Sequence, residues 1–353
     1  MSKKQSTYFV LAFVVLISFF FYQSYSKKKR FVSSTGVIFN MSSAEYSKVG
    51  HPESKYRTLY ILDYLKQKKI LDKVHVYQER PATRGELYLV HDKDYVDSVL
   101  NEHGEEGYLT ADKWSPYISK GMINAALTAA GSLVTLSEAI AKGEVKNGFA
   151  IIRPPGHHAT RRKAMGFCIF NNIAIAAEDL LTKNLATRIL IVDMDAHYGN
   201  GIVDIFKDNP QVYYVSFNQR WVFPYSNGLS TDHIKDIKIN FQQPESEYLQ
   251  IFQKNVSRAI SDFKPNFIFV SSGFDAHWRD YMSNLSLSLT TYAKMSKFLV
   301  DESNKYVGGK IIFSLEGGYD LDVLPIASYN VLLALMGQDG FEDPIGPLRI
   351  NSK

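Results

Sequence analysis

Cysteine is nearly absent. Cys168 is the single one in 353 residues, so no disulfide can close within the chain, and cysteine usage assigns no redox compartment. A large charge excess is missing too. The 40 basic and 36 acidic residues leave a formal net charge of +4, too mild to argue for a nucleic-acid partner. Between residues 31 and 353 there is no internal repeat, low-complexity tract or linker, which excludes a solenoid or a string of modules. What is present is apolar substance. At 45% hydrophobic and 13% aromatic residues, the chain can bury one large core, and α/β domains of this length can stay single.

Long apolar runs are also few, and the clearest stands at the N-terminus. Tyr8 to Tyr22 is apolar apart from Ser18, with Lys3 and Lys4 before it and Lys27, Lys28, Lys29 and Arg30 after it. At ~1.5 Å per residue this run gives a helix of ~22 Å, short of the ~30 Å of a bilayer core. Extending it over residues 7–25 brings it close to spanning. Nothing in the run is amphipathic, which argues against a buried soluble helix. No small-x-small cleavage site precedes Lys27, so the expectation is an uncleaved single-pass anchor over residues 7–25; export after signal cleavage is the alternative. The heavier basic cluster, Lys27–Arg30, favours a cytoplasmic catalytic part. Residues 1–30 are thus read as the anchor segment and residues 31–353 as one domain.

The remainder alternates strands and helices. Strand candidates are Gly36–Asn40, Val74–Tyr77, Leu87–Val90, Phe149–Ile152, Ile189–Asp193, Val212–Phe217, Phe267–Ser271 and Ile311–Leu315. Helix candidates are Tyr56–Lys69, Asp94–Leu100, Gly121–Lys142, Asn172–Leu181, Glu245–Asp262, Thr291–Asn304 and Val323–Met336. Alternation of this kind predicts a mostly parallel sheet with helices on both faces. Ligands of such sheets bind beyond the carboxyl ends of the strands. Four of those ends carry chemistry in this chain: Arg153-Pro-Pro-Gly-His-His158, Asp193-Met-Asp-Ala-His197, Gly273-Phe-Asp-Ala-His277 and Glu316-Gly-Gly-Tyr319.

The chain is organised around the second of these. Ile189 to Val192 reads as a strand buried on both faces, ending in Asp193, Asp195 and His197 on one side of the strand. Three ionisable groups there are costly without a partner, and a metal ion is the simplest one; polar residues capping the next helix are the plain alternative. Asp195, His197 and Asp275 supply two carboxylates and an imidazole, a set that suits Zn²⁺ and also accepts Fe²⁺. A metal there would polarise a carbonyl and acidify a water. His157 and His158, presented by a rigid Pro154-Pro155-Gly156 turn, are candidates for base and acid. Tyr319, after two glycines, is a candidate hydrogen-bond donor to an oxyanion. Asp193 shares the face of Asp195 and is a candidate for fixing the tautomer of one imidazole. Taken singly, a His-His pair or a Gly-Gly-Tyr turn would be unremarkable surface or core.

Arg153-Pro-Pro-Gly-His-His-Ala159, Met165-Gly-Phe-Cys168 with Asn171-Asn172, Asp193 through Gly201, Ser272 through His277 and Glu316 through Tyr319 together resemble the histone deacetylase family. The likeness is nearest to its class II and bacterial deacetylase-like members, acetylpolyamine amidohydrolases included, and spans roughly residues 36–340. It implies the arginase/deacetylase α/β fold and hydrolysis of an N-acyl amide, with Asp195, His197 and Asp275 as metal ligands. By the same resemblance His158 is the general base and acid beside His157, and Tyr319 polarises the carbonyl. Phe167, Phe223 and Gly166 line the acyl-lysine channel, and Asp112 is matched to a rim aspartate that binds substrate backbone. A structural K⁺ near the Asp193–His197 backbone and Ser216 is a further implied ion.

Three details refine this. Tyr319 stands where some class II members carry His. Asn200 stands where class I members carry Asp, so the resemblance pairs Asp193 with His157 and Asn200 with His158, and a neutral amide leaves His158 more readily neutral. Asp280-Tyr-Met-Ser283 departs from the Asp-Pro-Leu-Gly of many class II relatives. Met282 offers no acidic gatekeeper for a cationic polyamine. The expected substrate is therefore an acetylated protein or, alternatively, a small acylated amine. An arginase-type ureohydrolase would need a two-metal ligand set not found here, and a non-catalytic acyl-lysine binder would have lost base or ligand positions that are intact. The oligomeric state is not legible.

Overall fold

The computed structural model describes residues 34–348, except 105, 226 and 227. The expected anchor over residues 7–25 and the boundary at residue 30 lie outside the described residues.

The strands are β1 (Thr35–Phe39), β2 (His75–Tyr77), β3 (Gly107–Tyr108), β4 (Tyr117–Ile118), β5 (Asn147–Ile151), β6 (Ile189–Asp193), β7 (Val212–Gln219), β8 (Ile234–Ile239), β9 (Phe267–Ser272) and β10 (Ile311–Leu315). Eight form one sheet in the order β2-β1-β5-β10-β9-β6-β7-β8, every pairing parallel, while β3 and β4 make a small antiparallel pair. The last strand, β10, lies in the middle, between β5 and β9.

A parallel strand covered on both faces needs apolar side chains on both. The chain supplies them in unbroken runs: Ile189 and Ile191 enter the core on one side of the sheet, Leu190 and Val192 the core on the other. Helices Met122–Ala141, Asn172–Thr182 and Asn200–Phe206 bury their faces in the first core. Tyr56–Gln67, Glu245–Phe263, Leu289–Tyr306 and Val323–Leu335 bury theirs in the second. Helix Met122–Ala141 is long and apolar enough to cross a membrane by composition, but it is a core helix, mostly buried against β1, β5 and helix Asn172–Thr182.

One expected element is corrected. Leu87–Val90 is not a strand. Residues Arg84–Tyr88 form a short helix, started by a capping box in which the Thr83 side chain accepts from the Glu86 N–H and Glu86 from the Thr83 N–H. The Thr-x-x-Glu spacing that specifies this lies just ahead of the apolar pair Leu87 and Leu89 and overrides their strand-like appearance. Strand β8 was not expected: it is an edge strand whose lysines and aspartate keep it half-buried, so its sequence has no apolar run.

Candidate active site

Strands β5, β10, β9 and β6 are neighbours, so their four carboxyl ends open into one crevice. The end of β5 delivers His157 and His158, β6 delivers Asp193 to His197, β9 delivers Asp275, and β10 delivers Glu316 to Tyr319. All these side chains are buried or nearly so.

Asp195, His197 and Asp275 converge, with one donor atom from each within 4.8 Å of the others. His197 Nδ1 lies 2.8 Å from Asp275 Oδ2 and 3.1 Å from Asp195 Oδ1. Burial works against charge on His197, yet the Asp275 and Asp195 carboxylates outweigh it and hold the imidazole well above its ordinary pKa. Two buried carboxylates thus draw a proton onto the one ring between them, the place a divalent cation would take. Two glycines keep the space around them open. A Cβ at Gly273 would fall 2.1 Å from Asp195 Oδ2, and one at Gly317 would fall 2.5 Å from both Asp195 Oδ2 and Asp275 Oδ2. Gly317 N–H instead donates to Asp195 Oδ2 at 2.9 Å. Two oxygens, one nitrogen and a glycine-lined cradle fit a divalent transition ion with an open coordination position.

Above this trio stand the tandem histidines, their rings 4.0 Å apart. His157 Nδ1 is 3.1 Å from Asp193 Oδ2, and His158 Nδ1 is 2.8 Å from Asn200 Oδ1. Asp193 is itself steadied by the Tyr214 hydroxyl, which donates to Oδ2 at 2.8 Å. Burial lowers the pKa of both rings, but the Asp195 and Asp193 carboxylates reverse this for His157 and raise it to about 10. His158 is hydrogen-bonded to the neutral Asn200 amide, and the Asp195 carboxylate and this amide do not offset the forces against its charge. Burial, with His157 and His197 as positive neighbours, holds it well below the usual histidine range. The pair is therefore electrostatically split, charge being favoured on His157 and disfavoured on His158.

A cavity of about 120 Å³ leads from these rings to the surface, lined by His158, Gly166, Phe167, His197, Phe223, Met282 and Tyr319 among others. Phe167 meets Tyr319 edge-on at 5.8 Å and Phe223 meets His158 at 4.8 Å. Gly166 has φ +56°, and a Cβ there would fall 2.2 Å from the His158 ring, so only glycine fits. Asp112 does not line this cavity. Its carboxylate accepts from Trp114 N–H at 3.0 Å and lies 3.7 Å from Lys163 Nζ.

Several residues that position the site carry no motif. Trp114 closes the tunnel against Phe167 and Phe223, and Trp221 and Tyr225 form its exposed rim. Glu53 bridges two buried arginines: Arg153 donates to it at 2.6 and 2.7 Å, and Arg57 lies 3.4 Å away. Burial works against the Glu53 charge, but the two guanidiniums hold its pKa below the usual carboxylate range. Arg153 begins the loop that carries the tandem histidines. Arg57 donates to the carbonyls of Glu316 and Gly318, gripping the loop that carries Tyr319. Glu316 accepts the N–H groups of Gly156 and His157 at 2.7 and 3.1 Å, and Asp280 accepts the Tyr319 N–H at 2.6 Å. The partners lie so far apart in the chain that no local pattern signals these contacts, although Glu316 itself opens one of the four strand-end segments.

A parallel α/β sheet whose crevice gathers buried Asp195, His197 and Asp275, a set that could hold a metal ion, beneath a histidine pair has the arrangement of a hydrolase. The chain belongs to the histone deacetylase family: the family's histone deacetylase domain matches residues 51–335. It is a hydrolytic deacetylase. It is 31% identical to a probable deacetylase of Archaeoglobus fulgidus, over 86% of this chain and 87% of that protein. It is 30% identical to the chloroplastic histone deacetylase 14 of Arabidopsis thaliana, over 87% of this chain and 79% of that one. The crystal structure of the HDA15 HD domain superposes with a TM-score of 0.79 at 32% identity, covering 87% of this chain and 90% of that chain.

Proposed function

We propose that this deacetylase removes acetyl groups from lysine side chains of proteins, with Zn²⁺, or Fe²⁺ in its place, held by Asp195, His197 and Asp275. The observation that carries the substrate class is the cavity lining. Among the described residues it holds aromatic and apolar walls with no carboxylate, which suits the neutral stem of an acetylated lysine better than a polycation. A divalent ion held there supplies Lewis acidity toward the acyl oxygen and a water. Phe167 and Phe223 align the acylated stem between their rings. His158, kept neutral beside Asn200, accepts the proton released as water adds to the acyl carbon and delivers it to the departing amine. His157, paired with Asp193, contributes positive charge to the oxyanion, and the Tyr319 hydroxyl donates to it. Residues 7–25 act as a single-pass anchor with the catalytic part on the cytoplasmic side, a reading supported by the apolar run and the Lys27–Arg30 cluster.

The test is an assay of the full chain on acyl-lysine peptides beside acetylated polyamines, first metal-stripped and then with Zn²⁺ or Fe²⁺ restored. Metal-dependent acetate release from the peptides is expected, and Asp195→Ala and Asp275→Ala should lose both bound metal and turnover. Turnover of polyamines alone would move the substrate class; full metal occupancy in either variant would contradict the ligand set.

A further inference from the structure

Charge in this molecule is sorted between the two ends of the sheet. The turns that lead into the strands (residues 68–74, 142–146, 183–188, 207–211, 230–233, 264–266 and 307–310) hold ten Lys or Arg against four Asp or Glu. The segments that leave the strands toward the crevice (40–55, 78–83, 152–171, 194–199, 220–229, 240–244, 273–288 and 316–322) hold nine of each. A chain whose formal charge is only +4 therefore presents a basic end and an electrically balanced one.

The basic end is continuous. Lys146 N–H donates to the Ser34 carbonyl at 2.7 Å, the Lys310 carbonyl accepts from Ile268 at 3.0 Å, and Arg188 donates to the Lys264 carbonyl at 2.8 Å. These contacts tie the entrances of β1, β5, β10, β9 and β6 into one strip. Lys142 and Lys183 on it are paired with Glu138, and Lys68 with Glu342. Among the described residues, Lys146, Arg188, Lys264 and Lys310 form no ion pair. Tyr306, which ends the helix leading into the turn 307–310, stands 53% exposed with the Lys305 ammonium 4.6 Å from its ring centre, the kind of amphipathic ring found where protein meets lipid headgroups.

The first described residue of the chain, Ser34, enters the fold in this strip. Only a few residues separate it in sequence from Lys27-Lys28-Lys29-Arg30, and a few more from the apolar run Tyr8–Tyr22. We propose that the strand-entry end, centred on Lys146, Arg188, Lys264 and Lys310, lies on an anionic lipid surface. The crevice with Tyr319 then faces away from the bilayer. The attraction adds to the pull of the Lys27–Arg30 cluster and falls with ionic strength. This rests on the anchor reading and is independent of which amide is hydrolysed.

The experiment places the full chain in vesicles of phosphatidylcholine, alone or mixed with phosphatidylserine, and maps lysines by reductive methylation, a modification that a deacetylase does not remove. The expected result is that Lys146, Lys264, Lys305 and Lys310 methylate severalfold more slowly in the phosphatidylserine vesicles at low salt. Lys113 and Lys163, by the crevice, should methylate equally in both. In the combined variant Lys146→Glu, Lys264→Glu and Lys310→Glu, Lys305 should lose its protection while turnover of a soluble acetyl-lysine peptide is unchanged. Equal methylation in the two lipids, protection of Lys113 and Lys163 instead, or failure of the chain to float with the vesicles would overturn the proposal. So would protection of the strip by added single-stranded RNA and not by phosphatidylserine, which would assign the face to nucleic acid.

Discussion

Gly317 is the residue on which two carboxylates depend for room. Its N–H holds Asp195, and its missing side chain leaves space for Asp195 and Asp275 to lie side by side. Gly317→Ala should push both oxygens off their positions, weakening metal binding on the order of 10–100-fold, as losses just outside a ligand set do; metal titration of the folded variant checks this, and wild-type affinity would contradict it. Tyr319, proposed as a donor to the oxyanion, makes the opposite case, since such a donor acts on charge that develops only during the reaction. Tyr319→Phe should keep the metal and the fold but lower kcat by about 10²–10³, the usual effect of removing one oxyanion donor. Unchanged kcat would remove the residue from the mechanism. At this scale the sequence was most informative where chemistry sits directly after a buried strand, as with Asp195, His197 and Tyr319. It was silent about Glu53 and Arg57, because a buried ion pair between distant segments has no local spacing to betray it.

Among the elements, helix Asn172–Thr182 starts under two caps. Asn171 accepts from the Ala174 N–H, and the Asn171 N–H donates to His91 Nε2 at 2.9 Å. A backbone N–H can only donate, so Nε2 must be unprotonated, and Nδ1 donates to the Thr160 carbonyl at 2.9 Å. Burial pushes this imidazole down to about 4, so it stays neutral when folded. An unfolded histidine takes its proton near pH 6.5. Between pH 6.5 and about 4 the unfolded chain therefore binds more protons, and stability falls as pH falls through that window. The loss approaches about 3 kcal/mol. His91→Gln should flatten the pH dependence of the urea midpoint over this range; an unchanged slope would show that His91 does not set it. The same scale shows what patterning can specify. Fully buried strands advertise themselves as unbroken apolar runs, so β6, β9 and β10 were legible almost to the residue. Edge strand β8, with its alternating lysines, and the two-residue strands β3 and β4 were not. At helix Arg84–Tyr88 the apolar pair Leu87 and Leu89 looks like a strand, and only the Thr83–Glu86 cap marks the helix.

Across the whole molecule, folding brings Asp195, His197 and Asp275 together from two strands, so binding of the proposed ion there would be linked to global stability. At a free ion concentration a hundredfold above Kd, the bound ion should add about 2.7 kcal/mol. Chelation should lower Tm by several degrees, and restored Zn²⁺ should recover it. The gap should narrow at lower pH as protons compete for the ligands. A Tm indifferent to chelator would argue against an ion held by the folded state alone. The central position of β10 has a consequence of another kind. Its residues 311–315 come late in the chain, yet they fill the gap between β5 and β9. During synthesis the half-sheets β2-β1-β5 and β9-β6-β7-β8 must wait, each with an open apolar edge, until the last strand has left the ribosome. The site, whose ends straddle that gap, assembles only then. If the run Tyr8–Tyr22 is the anchor proposed above, it emerges while the sheet is still unfinished, and targeting would precede the birth of the enzyme.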